Sequence, residues 1–383
     1  MIEPFTFYHS SRRVLFAWDG VARLEDIAAE HGARRIALVA DGFFREHALI
    51  ERLGARLAPA LIHFVPQHEP DIAVAEACAA ALASADPDMI VALGGGSAMD
   101  AAKVARMLLA NPGPVEAIAG FGKVLRPHRS LLVCVPTTAG TGSDVSESAI
   151  LSRPDGDTKL IFRSPEMTAH IALLDPALTL SAPAAVTAQS GYDAVTHAVE
   201  AYVSKAASLM SDPFAESALA LLAQFLPLAW AEPDHREARA RCLIASCQAA
   251  IAFNSANLGL AHAISAPLGA LHHVPHGLGN ALALPAVAAF NQPVLGEKGR
   301  LIAELLGAPS AAAGLSKLRH AIGLDIGLDE FVPTEAARDA VARAALRSGQ
   351  VRMNPRLADF DQMRAILEAA RSPTGGAPPV GAP

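Results

Sequence analysis

The sequence contains no Cys-x-x-Cys pair, and its four cysteines, Cys78, Cys134, Cys242 and Cys247, each sit in an apolar segment. That scarcity excludes a disulfide framework and marks the thiols as reduced core residues. Basic residues form no cluster. Lys and Arg number 31 against 38 Asp and Glu, a formal net charge of −7, which argues against a nucleic-acid partner and for a small-molecule one. The first residues, Met1-Ile2-Glu3-Pro4-Phe5, lack the basic stretch and apolar run of an export signal, and no uncharged stretch has the length and helix continuity of a membrane span. The expectation is a cytoplasmic protein that engages no membrane. No internal repeat occurs. Apolar residues are plentiful, 52% of 383, enough for two domains with full cores.

The first half alternates short β-branched runs with helical patterns. Arg35 to Ala40, Leu61 to Val65, Met89 to Leu93, Leu131 to Val135 and Ile171 to Leu174 are near-continuous apolar runs of strand length, the pattern of strands buried on both faces. Helical stretches such as Asp71 to Ala85 and Ala98 to Leu109 lie between them, so a parallel sheet wrapped by helices is expected. After Ala182 the character changes. Val186 to Ser204, Asp212 to Trp230 and Arg239 to Ala263 read as long Ala- and Leu-rich helices, which predicts an α/β domain over 1–182, an all-helical domain over 183–370 and a disordered tail over 371–383.

Two segments offer metal ligands. Asp193 and His197 are four residues apart in an Ala-rich helical stretch, so both side chains leave one face a turn apart. His262 lies on another apolar helix, and His276 lies beyond a break expected at Gly269. One carboxylate and three imidazoles suit Fe²⁺ or Zn²⁺, with a position left open for substrate oxygen. The Asp193–His197 pair taken alone is more often what helix spacing produces without any ion.

Three features of the first half fit a dinucleotide. The strand ending at Leu93 runs into Gly94-Gly95-Gly96-Ser97 and then a helix carrying Asp100; glycines there admit a pyrophosphate, and the helix start offers free N–H groups. A tight turn uses the same residues. The strand ending at Val135 leads into Pro136-Thr137-Thr138-Ala139-Gly140-Thr141-Gly142-Ser143, whose small and hydroxyl side chains suit a ribose or nicotinamide, or an ordinary Thr/Gly turn. Asp41 ends the strand Ile36 to Ala40, where a carboxylate bonds ribose hydroxyls and favours NAD over NADP, or caps a following helix.

In order and spacing, Gly94 to Lys103, Pro136 to Ser143, Asp175-Pro176, Gly191 to Glu200, His262 to Gly277 and Met353-Asn354-Pro355-Arg356 resemble the iron-containing (group III) alcohol dehydrogenase family. The resemblance implies a dinucleotide-binding α/β domain, a helical metal-binding domain and an architecture like that of dehydroquinate synthase. It implies metal-dependent hydride transfer between a small alcohol or aldehyde and NAD, and a homodimer. Carried over by matching position, the metal ligands are Asp193, His197, His262 and His276. The cofactor contacts are Asp41, Gly95, Gly96, Ser97, Thr138, Thr141, Ser143, Lys159 and Leu178, and Ser148 and Phe253 line the substrate pocket. Asp144 stands where the family more often has Glu. Ala266 stands where the family commonly has a second His, so His272 and His273 become the nearest candidates for proton relay. Other readings remain. A maleylacetate-reductase-like enzyme works without metal, and the complete Asp/His set opposes it. A dehydroquinate-synthase-like lyase wants clustered cations, and few surround the expected ligands. A nucleotide- or metal-binding protein without catalysis is the third.

Overall fold

The computed structural model describes Phe7 and residues 11–66, 70–153 and 159–372. Among these the chain forms two compact units, divided between Ala182 and Pro183.

The first unit runs β1 (Arg13–Phe16), α1 (Leu24–Glu30), β2 (Ile36–Asp41), α2 (Ala48–Leu57), β3 (Leu61–Val65), α3 (Ile72–Ala85), β4 (Met89–Gly94), α4 (Gly96–Ala110), β5 (Leu131–Pro136), β6 (Ser148–Ser152), β7 (Lys159–Arg163) and β8 (Ile171–Leu174). Six strands make one parallel sheet in the order β1-β8-β5-β4-β2-β3, and β6 pairs with β7 as a separate antiparallel hairpin. Leu38, Ala40, Val91, Leu93, Val133 and Val135 pack into the core on one face. Ala37, Val39, Ile90, Ala92, Leu132 and Cys134 pack into the core on the other. Two buried faces are why these strands read as unbroken apolar runs rather than alternating ones.

The chain winds outward from β2 to β3, returns to place β4 beside β2, and then continues the opposite way through β5. The direction of winding therefore reverses between β2 and β4, the position where open α/β sheets bind ligands at their carboxyl ends. Asp41 and Gly94, the last residues of those two strands, stand there.

The second unit is helical: α5 (Ala184–Val203), α6 (Asp212–Ala231), α7 (Arg236–Ala256), α8 (Leu260–His272), α9 (His276–Leu305), α10 (Ala311–Ala321), α11 (Glu335–Ala345) and α12 (Phe360–Ala369). By length and composition α6 would also suit a membrane span; here it packs on α5 and α7. All four cysteines are buried free thiols.

Three details differ from the sequence reading. The helix expected over Arg239 to Ala263 is two helices, because Asn257 takes a left-handed φ of 61° and Gly259 precedes α8. Gly269 lies inside α8; the break before His276 falls at His273, with φ 55°. β1 and the β6–β7 hairpin were not anticipated as sheet strands in these pairings. Among the first ten residues only Phe7 is described, and its ring stacks on Phe214. The expected tail falls outside the described residues from 373 onward, while Arg371 pairs with Asp329.

Candidate metal centre and nucleotide loops

Three helix segments build the polar centre of the helical unit: the middle of α5 and the first turns of α8 and α9. Asp193 and His197 leave α5 one turn apart. Gly277 is what lets α9 start so near them, since a Cβ there would lie 2.2 Å from the Gln189 carbonyl oxygen of α5. His197, His262 and His276 place their Nε2 atoms 3.8, 3.6 and 3.7 Å from Asp193 Oδ1. Asp193, His262 and His276 each put a ligand atom within 4.8 Å of one another. The rings of His197 and His262 stack with centroids 4.8 Å apart, and Phe253 lies against His197 at 4.6 Å.

Burial opposes charge on Asp193, yet the imidazoles of His197, His276 and His262 outweigh it and hold the carboxyl well below the usual range. Burial likewise opposes charge on His262, but its bonds to Asp193 and Glu200 prevail and raise it to about 9. The centre thus attracts positive charge despite its burial.

The donor set fits a divalent cation. Metal–ligand bonds of about 2.0–2.2 Å put neighbouring ligand atoms roughly 3.3–3.6 Å apart in a tetrahedral arrangement, close to the separations found. With neutral imidazoles, the buried carboxylates of Asp193 and Glu200 leave two negative charges that a divalent ion balances, and unbalanced buried charge is costly. Sequence reading missed two groups here. Asn280 donates from Nδ2 to Asp193 Oδ1 at 2.7 Å, while its own Oδ1 is buried without a hydrogen-bond partner. Glu200 accepts from His262 Nδ1 at 2.6 Å. Spacing puts both on the faces of the ligands, Asn280 one turn after His276 and Glu200 two turns after Asp193, but only the fold shows what they bind.

The relay candidates stand at the turn between α8 and α9. His272 ends α8 ten residues after His262, about 15 Å along the helix axis, and exposed His273 forms the left-handed cap. Burial and then the neighbouring His273 hold His272 toward its neutral form.

In the first unit, the two loops at the carboxyl ends of β4 and β5 abut. Gly94 has φ 152°, and a Cβ on it would meet Asp41 Cβ at 2.8 Å and Ala98 Cβ at 2.9 Å. Gly95 faces Thr138, Gly96 faces Thr141, and the Thr137 N–H donates to the Gly94 carbonyl. α4 begins at Gly96, with Ser97 in its first turn, so free N–H groups of the helix start lie at the loop surface. Asp41 accepts from the Phe43 N–H at 2.9 Å, capping a short 3-10 turn.

The other nucleotide candidates, and Ser148 of the expected substrate pocket, take separate places. Ser143 Oγ donates to Asp100, and Asp100 also accepts from the Ile150 N–H, so both brace the loop. Lys159 opens β7 opposite Ser152. Leu178 packs into the core cluster that holds Ala40, Leu93 and Val135. Ser148 opens β6, and its carbonyl accepts from the buried Lys103 ammonium at 2.9 Å.

Asp144 in the same loop is buried, with Oδ2 unpaired. Burial pushes its carboxyl up to about 6, against its own backbone N–H and the Lys103 charge. The folded protein therefore holds a proton through a pH range where the unfolded chain has released it. Stability contributed here falls as pH rises from about 4 to about 6 and is level above that. Asp144→Asn is expected to stabilise by up to about 3 kcal/mol at pH 8, with the gain shrinking toward pH 4. Thermal melts of both proteins at the two pH values check this; an equal difference at both would sink it.

Comparison with known proteins agrees with the two units. Residues 11–176 match the family described as iron-containing alcohol dehydrogenase, and residues 187–371 match the C-terminal part of the Fe-containing alcohol dehydrogenase family. "Probable alcohol dehydrogenase EutG" of Escherichia coli (strain K12) is 35% identical over 353 residues, 90% of this chain and 89% of its own. A solved 1,3-propanediol oxidoreductase superposes with a TM-score of 0.89 at 31% identity, covering 97% of this chain and all of that one. Sulfoacetaldehyde reductase from Bifidobacterium kashiwanohense, solved with NAD+, gives 0.88 at 28% identity, covering 96% and 98%. Maleylacetate reductase from Agrobacterium tumefaciens, 23% identical with a TM-score of 0.84 and coverage of 98% and 100%, shares the fold.

Proposed function

The chain belongs to the iron-containing alcohol dehydrogenase family and is an oxidoreductase acting on alcohols; from that premise we propose that it passes hydride between a small alcohol and NAD, using a divalent metal held by Asp193, His197, His262 and His276. The observation that carries this reading is the convergence of three Nε2 atoms on one buried carboxylate oxygen, at 3.6 to 3.8 Å. When bound, such a metal supplies Lewis acidity that lowers the pKa of an alcohol hydroxyl.

The residues divide the remaining tasks. Phe253 walls the imidazole of His197 with an apolar ring, which excludes water from that side. On the first unit, the start of α4 at Gly96 offers backbone N–H groups to a pyrophosphate, and Gly94 and Gly95 let it come near. Asp41 holds the adenosine ribose. The oxidised product is an aldehyde or ketone, with NADH and a proton, and the reverse direction consumes them. The NAD complex of a structural relative supports the choice of nucleotide. The intact Asp/His set favours this reading over the metal-free maleylacetate-type reaction.

The test is reduced-nicotinamide absorbance. Metal-stripped protein restored with Fe²⁺ or Zn²⁺ is offered NAD with a panel of short alcohols and diols, and NADH with the matching aldehydes. Metal-dependent turnover is expected; silence in both directions across the panel would overturn the proposal.

A further inference from the structure

We infer that Glu200 is a positioning residue that dictates which nitrogen of His262 faces the ligand cluster, and that it does so while clamping the start of α8 onto α5. Glu200 is buried, with side-chain exposure of 2%. Its Oε2 lies 2.6 Å from His262 Nδ1 and 2.9 Å from the Gly259 N–H, and its Oε1 lies 2.6 Å from the Ala261 N–H. A carboxylate only accepts, so Nδ1 keeps its proton when the ring becomes a neutral metal ligand. Nε2, aimed at Asp193, then presents its lone pair.

One side chain thereby joins two tasks. Gly259 precedes α8 and supplies no side-chain cap, so Glu200 provides the acceptor that the helix start lacks. Negative charge is favourable at a helix N-terminus, which offsets part of the cost of burying it. The arrangement also requires glycine at 259: a Cβ there would fall 2.9 Å from Glu200 Oε1 and 3.0 Å from Asn354 Oδ1. Asn354 is itself fixed by reciprocal amide bonds with Asn291. The carboxylate is thus held by the same backbone segment that carries His262, so the ring cannot turn independently of it.

The inference rests on the metal-site reading above and is tested with Zn²⁺ as the probe, in competition with a chelator. Glu200→Gln keeps the volume but offers a single acceptor oxygen for three N–H donors. Its Zn²⁺ affinity is expected to fall about 10- to 100-fold, the usual effect of removing an outer partner of a ligating His. The same change in a His262→Gln background is expected to cost no more than about 2-fold, since Glu200 acts through that ring. Wild-type affinity in Glu200→Gln, or the full loss persisting without His262, overturns the inference and leaves the metal site standing. A wild-type protein that binds no stoichiometric Zn²⁺ overturns both. If Glu200→Gln does not fold, nitrogen NMR of the Zn²⁺-loaded wild type decides: the His262 ring must carry its proton on Nδ1, and a bare Nδ1 overturns the inference.

Discussion

Replacing His276 with alanine is expected to lower kcat/KM for the alcohol by about 10³-fold or more, equivalent to roughly 4 kcal/mol of lost transition-state stabilisation. The metal-free variant should melt within a few degrees of the metal-free wild type. Of the four proposed ligands, His276 is the best to remove for this purpose because its side chain is 31% exposed, against 3 to 5% for Asp193, His197 and His262. Truncation there leaves no closed cavity, the usual source of large losses on shortening a side chain. The bond from Ser265 Oγ to the residue 276 carbonyl survives the change, so the first turn of α9 keeps its anchor. Metal content must be measured alongside turnover. A variant that keeps stoichiometric metal and near-wild-type turnover removes His276 from the ligand set.

The folded centre explains why some of it could be read from the sequence and some could not. Asp193, His197, His262 and His276 carry side chains whose chemistry announces a ligand, and their helical spacing brings pairs to one face. Glu200 stands in the same segment and points the same way. Its role depends on the break between α7 and α8, where Asn257 takes φ 61° and the chain turns so that Gly259 and Ala261 meet the carboxylate. Ala- and Leu-rich composition on both sides of that break conceals it. Asn280 was hidden differently, since a neutral amide one turn past His276 gives no signal until Asp193 is beside it.

Strand legibility follows the same logic. β2, β4 and β5 are buried on both faces, and their apolar runs mark them almost residue by residue. β6 and β7 alternate buried with exposed positions over only five residues each, too short for periodicity to separate them from a polar loop. That hairpin carries Ser148 and Lys159, so their positions became clear only with the fold.

On the proposed reading, Asp41 distinguishes the two cofactors. Substituting it should raise the ratio of kcat/KM for NADP over that for NAD by about 10-fold or more, corresponding to roughly 1.4 kcal/mol. The geometry of this residue is compatible with both readings. Its Oδ1 caps the turn at Gly42–Phe44 through the Phe43 N–H, as a strand-end Asp often does. Its position beside Gly94, where the winding of the sheet reverses, is also where the proposed NAD would place a ribose. Burial raises its carboxyl pKa, and the Phe43 N–H opposes that shift. Two variants separate the tasks. Asp41→Ala removes both the charge and the cap, and should cost about 1 kcal/mol of stability. Asp41→Ser removes the charge but keeps an acceptor for the Phe43 N–H, so its melting temperature should stay near that of the wild type. The cofactor ratio should move in both variants, because a 2′-phosphate is repelled by the charge and not by the cap. A ratio unchanged in both would leave Asp41 a capping residue alone, and any preference for NAD would have to arise elsewhere in the β2–β4 crevice.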